Sequence, residues 1–386
     1  MSEKPKRRPR YKGTHPKSFK EKYKELNPEL YSEDVAKVMQ QGKTPAGMHR
    51  SIMVKEILDF LQVKPGQIGL DATLGYGGHT HEILKALTRN EGQGTGDEGN
   101  ETRDAGQGAR NGKISSSPAP RPASHLYAID VDPLEMPKTK ERLAALGYGE
   151  EILTIRKLNF SNIDLVVSES GPLNFVLADL GVSSMQIDNP DRGFSFKIEG
   201  PLDLRLNPKS GKPASALLKT ISRDELEELL QENADEPYYD IIAEAITAKI
   251  RRGIVLETTT QLKDVIAAAL EFLPEDERKE GVKKSCQRCF QALRIAVNDE
   301  FGVLDKFLQK LPDVLAPGGR VAILSFHSGE DRRVKKSFRY FFREGIYKEI
   351  TPDVIRPSAE ECNANPRAKS AKLRWAVMNT KNESKA

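Results

Sequence analysis

Three carboxylates in this chain stand where an apolar run ends. Asp71 follows Ile68-Gly69-Leu70, Asp130 follows Leu126-Tyr127-Ala128-Ile129, and Asp179 follows Phe175-Val176-Leu177-Ala178. After the first comes Gly75-Tyr76-Gly77-Gly78-His79, and then the helical pattern His81-Glu82-Ile83-Leu84-Lys85-Ala86-Leu87. Strand, glycine turn and helix together open a nucleotide-type α/β site. Glycine lets the backbone pass close to a ligand, and a helix N-terminus offers unpaired N–H groups. The spacing is not G-x-G-x-x-G, and no Lys-Ser/Thr pair follows for a phosphate loop. An acid just before the loop suits an ammonium or hydroxyl group better than a pyrophosphate. The ligand expected here is cationic and nucleoside-like, a description that S-adenosylmethionine fits. A tight turn with no ligand is the plainer reading of the same residues.

The second acid supports the ligand. In doubly wound sheets a carboxylate ending the second strand, roughly 20 residues beyond the glycine loop, binds ribose hydroxyls. Asp130 lies 59 residues after Asp71, but residues 89–124 form a block with seven glycines, three prolines and no aromatics. Such a composition cannot offset ordering entropy by burial, so a disordered insertion of 36 residues is expected, leaving a spacing of 23. Phe160 falls at the end of a third strand at 152–155, placed either against a purine or in the core. Asp179 ends the fourth strand, at the ligand edge.

The elements that must carry these residues are readable in outline. Val54, Ile57, Leu58 and Leu61 recur at helical spacing, as do Val35, Val38 and Met39 before them. A helix is expected near 134–146. Leu315-Ala316-Pro317-Gly318-Gly319-Arg320 predicts a helix end and a turn before a fifth strand that runs to Ser325. Residues 204–285 read as helical, with capping boxes at Ser222-x-x-Glu225 and Thr258-x-x-Gln261. Lys372–Met378 is expected to be an edge strand. The domain reading is a basic arm over 1–47, an α/β domain over 48–203 and 286–386, and a helical subdomain over 204–285 for substrate recognition.

Composition sets the bounds. The chain has 386 residues, 38% hydrophobic and 30% charged, which suits a soluble globular protein with a sizeable core. No apolar run approaches the ~20 residues of a membrane span, and the charged N-terminus has no secretory pattern. Net charge is +4, concentrated at the ends: residues 1–30 carry ten Lys/Arg against four acids, and 332–374 carry twelve against five. Basic ends suit a polyanionic partner, and Tyr11, Phe19 and Tyr23 interleave the first with aromatics that could stack on bases. Cys286, Cys289 and Cys362 are too few for a disulfide framework, and Cys286-x-x-Cys289 lacks a second ligand pair for zinc. No metal is expected, and a reducing, cytoplasmic setting is the default.

Seven motifs then carry a resemblance. They are His79 with its glycines, Asp179-Leu180-Gly181-Val182-Ser183-Ser184 with Gln186, Asp191-Arg192-Gly193-Phe194-Ser195-Phe196, Gly200-Pro201-Leu202-Asp203-Leu204-Arg205, Phe290 to Asn298, Ser325-Phe326-His327-Ser328, and Asn365 to Ser370. In this order they resemble the bacterial small-subunit (16S) ribosomal RNA cytosine N-4 methyltransferases, the RsmH or MraW family, from about His49 to Val377. The resemblance implies a class I, Rossmann-like methyltransferase with an inserted helical subdomain. It implies transfer of a methyl group from S-adenosyl-L-methionine to the 4-amino group of a cytidine in the ribosomal decoding region. Cofactor contacts carry over to Gly77, Gly78, His79, Asp130, Phe160, Asp179 and Gln186. The chain departs from the pattern in its longer basic arm, in the 89–124 block, in Lys284-Ser285 for the usual His-Pro, and in Gly329 for a usual leucine.

A cytosine amine is a poor nucleophile because its lone pair is delocalised into the ring. It needs acceptors that hold its hydrogens, together with in-line placement of the methyl group. Asp179 occupies the lead position of the amino-methyltransferase pattern, with Leu180-Gly181 where prolines are common. It could orient the amine, contact the cofactor, or both. His327, ending the fifth strand, is a candidate for contacting the base or a phosphate, or a structural histidine. Arg192 and Arg205 with Phe194 and Phe196 form a cation and stacking set suited to an extruded base, or a packed aromatic corner. A nicotinamide-linked oxidoreductase and a non-catalytic RNA-binding factor are the competing readings of such a sheet.

Overall fold

A computed structural model describes residues 51–89 and 124–380 of the protein. The basic arm over 1–47, the helix expected around Val35, and the glycine-rich block from Asn90 to Ala123 lie outside the described residues, as do 381–386.

Seven strands form one sheet: β1 Ile68–Asp71, β2 His125–Asp130, β3 Leu153–Lys157, β4 Leu173–Asp179, β5 Leu315–Ser325, β6 Tyr347–Ile350 and β7 Lys372–Met378. Their order is β3-β2-β1-β4-β5-β7-β6. The first five are parallel, and β7 is antiparallel to both of its neighbours. Strand order reverses between β1 and β4, the switch point at whose carboxyl ends open α/β sheets bind ligands.

Both faces of the sheet are covered, which is why its central strands read as continuous apolar runs rather than alternating ones. Phe175 and Leu177 of β4 turn to one face, packing with Ile57 and Leu61 of α1 (Val54–Leu61), Ile83 and Leu84 of α2 (Gly78–Leu87), and Leu143 of α3 (Met136–Ala145). Val176 and Ala178 turn to the other, among Val166 of α4 (Asp164–Ser170) and residues of two later helices. Burying a side chain of the size of Phe175, which is 0% exposed, contributes ~1.5–3 kcal/mol. Its ring lies where Gly69 has no side chain. A Cβ there would come within 2.0 Å of the ring, so the glycine in β1 makes room for the phenylalanine in β4.

After β4 and the short α5 (Ser184–Asp188) come α6 (Ala214–Thr220), α7 (Arg223–Ala234), α8 (Tyr239–Arg251), α9 (Thr259–Ala269) and α10 (Glu275–Asn298). Both expected capping boxes form, at the starts of α7 and α9. These helices enclose a core of their own, with Leu226, Leu230, Ile242, Ile246, Leu262 and Ile266 at its centre. It also takes in Phe194 and Leu202 upstream, and Phe290 and Leu293 from the far half of α10. At 24 residues, α10 runs through 285 without a break and leads into α11 (Glu300–Val314) across Asp299 in the left-handed region. Cys286 and Cys289 are free and buried on α10, and burial pushes the Cys286 thiol up to about 12. The remaining helices are α12 (Ser328–Arg343) and α13 (Ala359–Ala364).

Two expectations need correction. Lys372–Met378 is not an edge strand: β7 pairs with β5 and β6, and Leu373, Ala376 and Val377 are buried. Its charged residues suggest an edge, but Arg374 is neutralised inside by Asp331 at 2.7 Å. The edge on this side of the sheet is the short β6. The Pro317-Gly318-Gly319 turn does not precede β5 but interrupts it, because Leu315 already pairs with Leu173 before Arg320 pairs with Phe175.

Candidate active site

The glycine turn is built by its neighbours. Gly77 caps α2 with φ +80°, and a Cβ there would meet Thr139 Cγ2 at 2.8 Å and Leu143 Cδ1 at 3.3 Å. From α3, Thr139 Oγ1 donates to Gly75 O at 2.7 Å and Arg142 Nη2 donates to Tyr76 O at 3.2 Å. The Arg142 guanidinium also lies 3.5 Å from the centroid of the Tyr76 ring. The turn is therefore clamped from behind, leaving its front to the sheet's carboxyl edge.

Asp71 does not face that edge, contrary to the reading of it as a ligand partner. It is 1% exposed; its Oδ1 accepts from Thr73 N–H at 3.0 Å and its Oδ2 from Thr80 Oγ1 at 2.6 Å, so it ties the turn to α2. Burial pushes its carboxyl above the usual range, opposed by the Thr80 hydroxyl and by the charge of His79. Thr73 Oγ1 accepts the Asp179 backbone N–H at 2.7 Å, which joins β4 to the same loop.

His79 and Asp179 are coupled. His79 Nε2 lies 2.9 Å from Ile52 O, a pure acceptor, so this nitrogen carries a hydrogen. Nδ1 lies 3.4 Å from Asp179 Oδ2. Burial by itself would lower the imidazole's pKa. Asp179, then Asp71 and the Ile52 carbonyl, outweigh burial and raise it. When Nδ1 is protonated it donates to Asp179 Oδ2. Asp179 Oδ1 is buried and, among the described residues, has no hydrogen-bond partner. An orphaned carboxylate oxygen beside a glycine turn and a helix N-terminus fits a ligand that brings its own N–H or O–H groups.

Asp130 closes the other side. Its Oδ2 accepts from Gly75 N–H at 2.7 Å and its Oδ1 from Asp132 N–H at 2.9 Å, while burial raises its pKa against these bonds. Asp130 lines a small cavity of about 10 Å³, the size of one water, together with Gly75, Tyr76, Asp132, Glu135, Ser183, Met185 and Gln186. Beneath lies Asp132, which the motifs did not single out. Its Oδ2 receives Arg192 Nη1 and Gln186 Nε2, both at 2.7 Å, and its Oδ1 receives Leu134 N–H at 2.9 Å. Gln186 also completes a capping box with Ser183 at the start of α5. The Ser183-x-x-Gln186 spacing in the sequence was the available signal. Arg192 is buried and spends Nη2 on the carbonyls of Arg205 at 3.2 Å and Leu206 at 2.8 Å. It braces the segment after β4 against the loop after β2, and it does not face a groove.

The other expected residues divide. Phe160 starts a single helical turn after β3 and is half-buried, its ring 5.0 Å from that of Phe307. Phe194 and Phe196 belong to the helical core, Phe196 packing edge-on against Phe290 at 5.6 Å. Arg205 grips Asp203 through two bonds of 2.7 Å and donates to Gly211 O at 3.0 Å, so its guanidinium is engaged within its own loop. His327 follows β5 with Nε2 3.1 Å from Glu330 Oε1. Burial opposes ionisation of Glu330, but His327 and Arg294 outweigh it and hold the carboxyl below the usual range. The packed-corner reading describes Arg192, Phe194, Phe196 and Arg205 better than a set of free RNA contacts.

A parallel sheet in this order with one antiparallel insertion, carboxylates ending β1, β2 and β4, and a clamped glycine turn at the switch point define a class I, S-adenosylmethionine-dependent methyltransferase. The model of the MraW methylase family matches residues 46–107 and 119–379, and the chain belongs to that family. It is 64% identical over 375 residues to "Ribosomal RNA small subunit methyltransferase H 2" of Alkaliphilus metalliredigens, covering 97% of this chain and 98% of that one. Similar enzymes named "Ribosomal RNA small subunit methyltransferase H 1" are 61% identical in Lachnoclostridium phytofermentans and 55% in Agathobacter rectalis. Each match covers 96% of this chain, and 93% and 97% of the relative. Among the described residues no helix is long and apolar enough to cross a membrane.

Proposed function

We propose that the protein methylates the 4-amino group of a cytidine in the decoding region of 16S ribosomal RNA, in the cytoplasm, with the small ribosomal subunit as its partner. The observation that carries the chemistry is Asp179: one oxygen held by His79, the other buried at the ligand edge of β4 with no hydrogen-bond partner among the described residues. The names of the relatives supply the RNA. Gly77, Gly78 and His79 at the turn, Asp130 at the ribose position, Phe160 against the adenine and Gln186 at the cavity wall would hold the cofactor.

Bound there, S-adenosylmethionine supplies an electrophilic methyl group. Asp179 Oδ1 accepts a hydrogen of the target amine and favours the pyramidal nitrogen whose lone pair can attack. His79 holds the carboxylate through Oδ2 and Thr73 anchors the Asp179 backbone N–H, so little reorganisation is needed at the moment of reaction. No strong base is required, because the amine proton becomes acidic only as the new bond forms. The helical segment over 204–285, reached from the loop after β4, is the proposed substrate-recognition subdomain, with His327 beside its junction with the sheet, where Ser328 Oγ donates to Asp235.

The test is incubation with labelled S-adenosylmethionine and either naked 16S RNA or isolated small subunits, followed by mapping of the modified nucleotide. One N4-methylated cytidine in the decoding region is expected. Label at carbon 5, on another base, or on protein would refute the proposal.

A further inference from the structure

The basic character of residues 332–374 finds no use in the site above. In the structure much of it gathers on α12. From Arg332 to Arg343 this helix carries six cations, Arg332, Arg333, Lys335, Lys336, Arg339 and Arg343, and no acid. Val334 and Phe338 are 1% exposed and enter the core beneath the sheet, with Phe341 packed beside them. Arg333 turns inward to Asp305 and the Phe301 ring. The opposite face is left to Arg332, Lys336, Arg339, Tyr340 and Arg343, all exposed, at intervals of four, seven, eight and eleven residues. That spacing makes one stripe, about 16 Å long at 1.5 Å per residue.

The stripe is unbalanced at a cost to the helix. Arg332–Lys336, Lys335–Arg339 and Arg339–Arg343 are like-charge pairs at i,i+4, each of which destabilises an isolated helix. The helix dipole favours cations only in the last turn, which accounts for Arg343 but not for Lys335 or Lys336. Among the described residues Lys336, Arg339 and Arg343 have no ion-pair partner, and Arg332 has only Asp235 at 3.9 Å. Tyr340, 58% exposed, stands between Lys336 and Arg343, edge-on to the Phe341 ring at 5.2 Å. The helix starts directly after His327, at the end of the strand paired with β4 through Asp179 and Leu324. Its Arg332 end therefore lies at the ligand edge, and the stripe runs away from it.

We propose that this face of α12 is a docking surface for the ribose-phosphate backbone of the RNA substrate, with Tyr340 stacking on an unpaired base or a ribose. The proposal rests on the RNA substrate proposed above. Charge complementarity selects the occupant: a row of four cations, three of them without an ion-pair partner among the described residues, with one interleaved aromatic matches a phosphate backbone. An anionic membrane surface fits less well, because the apolar face an interfacial helix would insert is already buried against the sheet.

The experiment compares the wild-type chain with Lys336→Gln/Arg339→Gln/Arg343→Gln and with a control of equal charge change, Lys55→Gln/Lys64→Gln/Lys85→Gln. Binding to a transcript of the 16S decoding region is measured at about 0.05, 0.1 and 0.2 M salt, with cofactor affinity and methyl transfer at saturating RNA as controls of fold and chemistry. The α12 variant should bind RNA roughly tenfold or more weakly at the middle salt, with a log–log salt slope shallower by about two to three. Cofactor affinity and saturated methyl transfer should be unchanged, and the control triple should behave as wild type. Unchanged RNA affinity and slope in the α12 variant, beside a wild type that binds and methylates, would overturn the stripe alone. An equal loss in the control triple would reduce the effect to net charge and overturn it as well. A wild type that neither binds nor methylates the transcript or the subunit would overturn the RNA reading and the stripe with it. Loss of binding to phosphatidylserine vesicles with RNA binding intact would assign the face to a membrane instead.

Discussion

Arg192→Met tests whether the site is braced from beneath. The Arg192 and Asp132 side chains are 4% and 2% exposed, and their charged atoms are 2.7 Å apart. Removing the cation leaves a buried carboxylate with Gln186 Nε2 and the backbone N–H groups of Leu134 and, at 3.4 Å, Glu135 as its remaining donors, and it strips the Arg205 and Leu206 carbonyls of theirs. Breaking one partner of a buried pair costs ~3–5 kcal/mol, against ~0–1 for an exposed pair. The three donors left on Asp132 keep the expectation toward the lower end of that range, ~3 kcal/mol. Urea unfolding followed by circular dichroism would measure it. Adding Asp132→Asn removes the orphaned charge, so the double variant should cost less than the sum of the singles by ~1.5–3 kcal/mol. Because Asp132 also holds Gln186 at the cavity wall, cofactor affinity should fall in both single variants. RNA affinity of the folded fraction should not. A loss of stability below ~1 kcal/mol combined with impaired RNA binding would refute the brace and return the guanidinium to the substrate.

Asp179→Ala should lower single-turnover methyl transfer at saturating cofactor by ~3–4 kcal/mol in the barrier, and full rescue by cofactor would leave Asp179 a binding residue only. Asp130→Ala should weaken cofactor binding by ~1.5–3 kcal/mol in calorimetry, and should also cost stability because Gly75 and Asp132 N–H lose their acceptor; unchanged affinity would remove it from the ribose position. His79 has a folded pKa raised above the ordinary 6.5, so its protonated contacts stabilise the fold fully below 6.5 and are lost as pH rises through the folded value. His79→Gln should flatten the fall in stability over that range, and parallel wild-type and variant curves from pH 6 to 9 (about 25 °C) would show that the ring is not charged.

How much of this was legible beforehand depended on the range of the interaction. Apolar runs ending in Asp71, Asp130 and Asp179 announce parallel strands buried on both faces, and the Ser222-x-x-Glu225 and Thr258-x-x-Gln261 caps announce helix starts. Each is set by residues within a few positions of one another. The motif order was enough to reach the family. Charge partnership was not legible, because it joins residues far apart in the chain. Arg192 meets Asp132 across 60 positions, Arg374 meets Asp331 across 43, and His79 contacts Asp179 across the switch point. An arginine beside aromatics has the same sequence whether it faces RNA or a buried carboxylate, and Asp71 looks the same whether it meets a ligand or Thr80. Local pattern determined which residues gather at the edge of the sheet. Only the packing of distant segments decided which of their charges are already satisfied there, because desolvation and pairing depend on what surrounds a side chain in space.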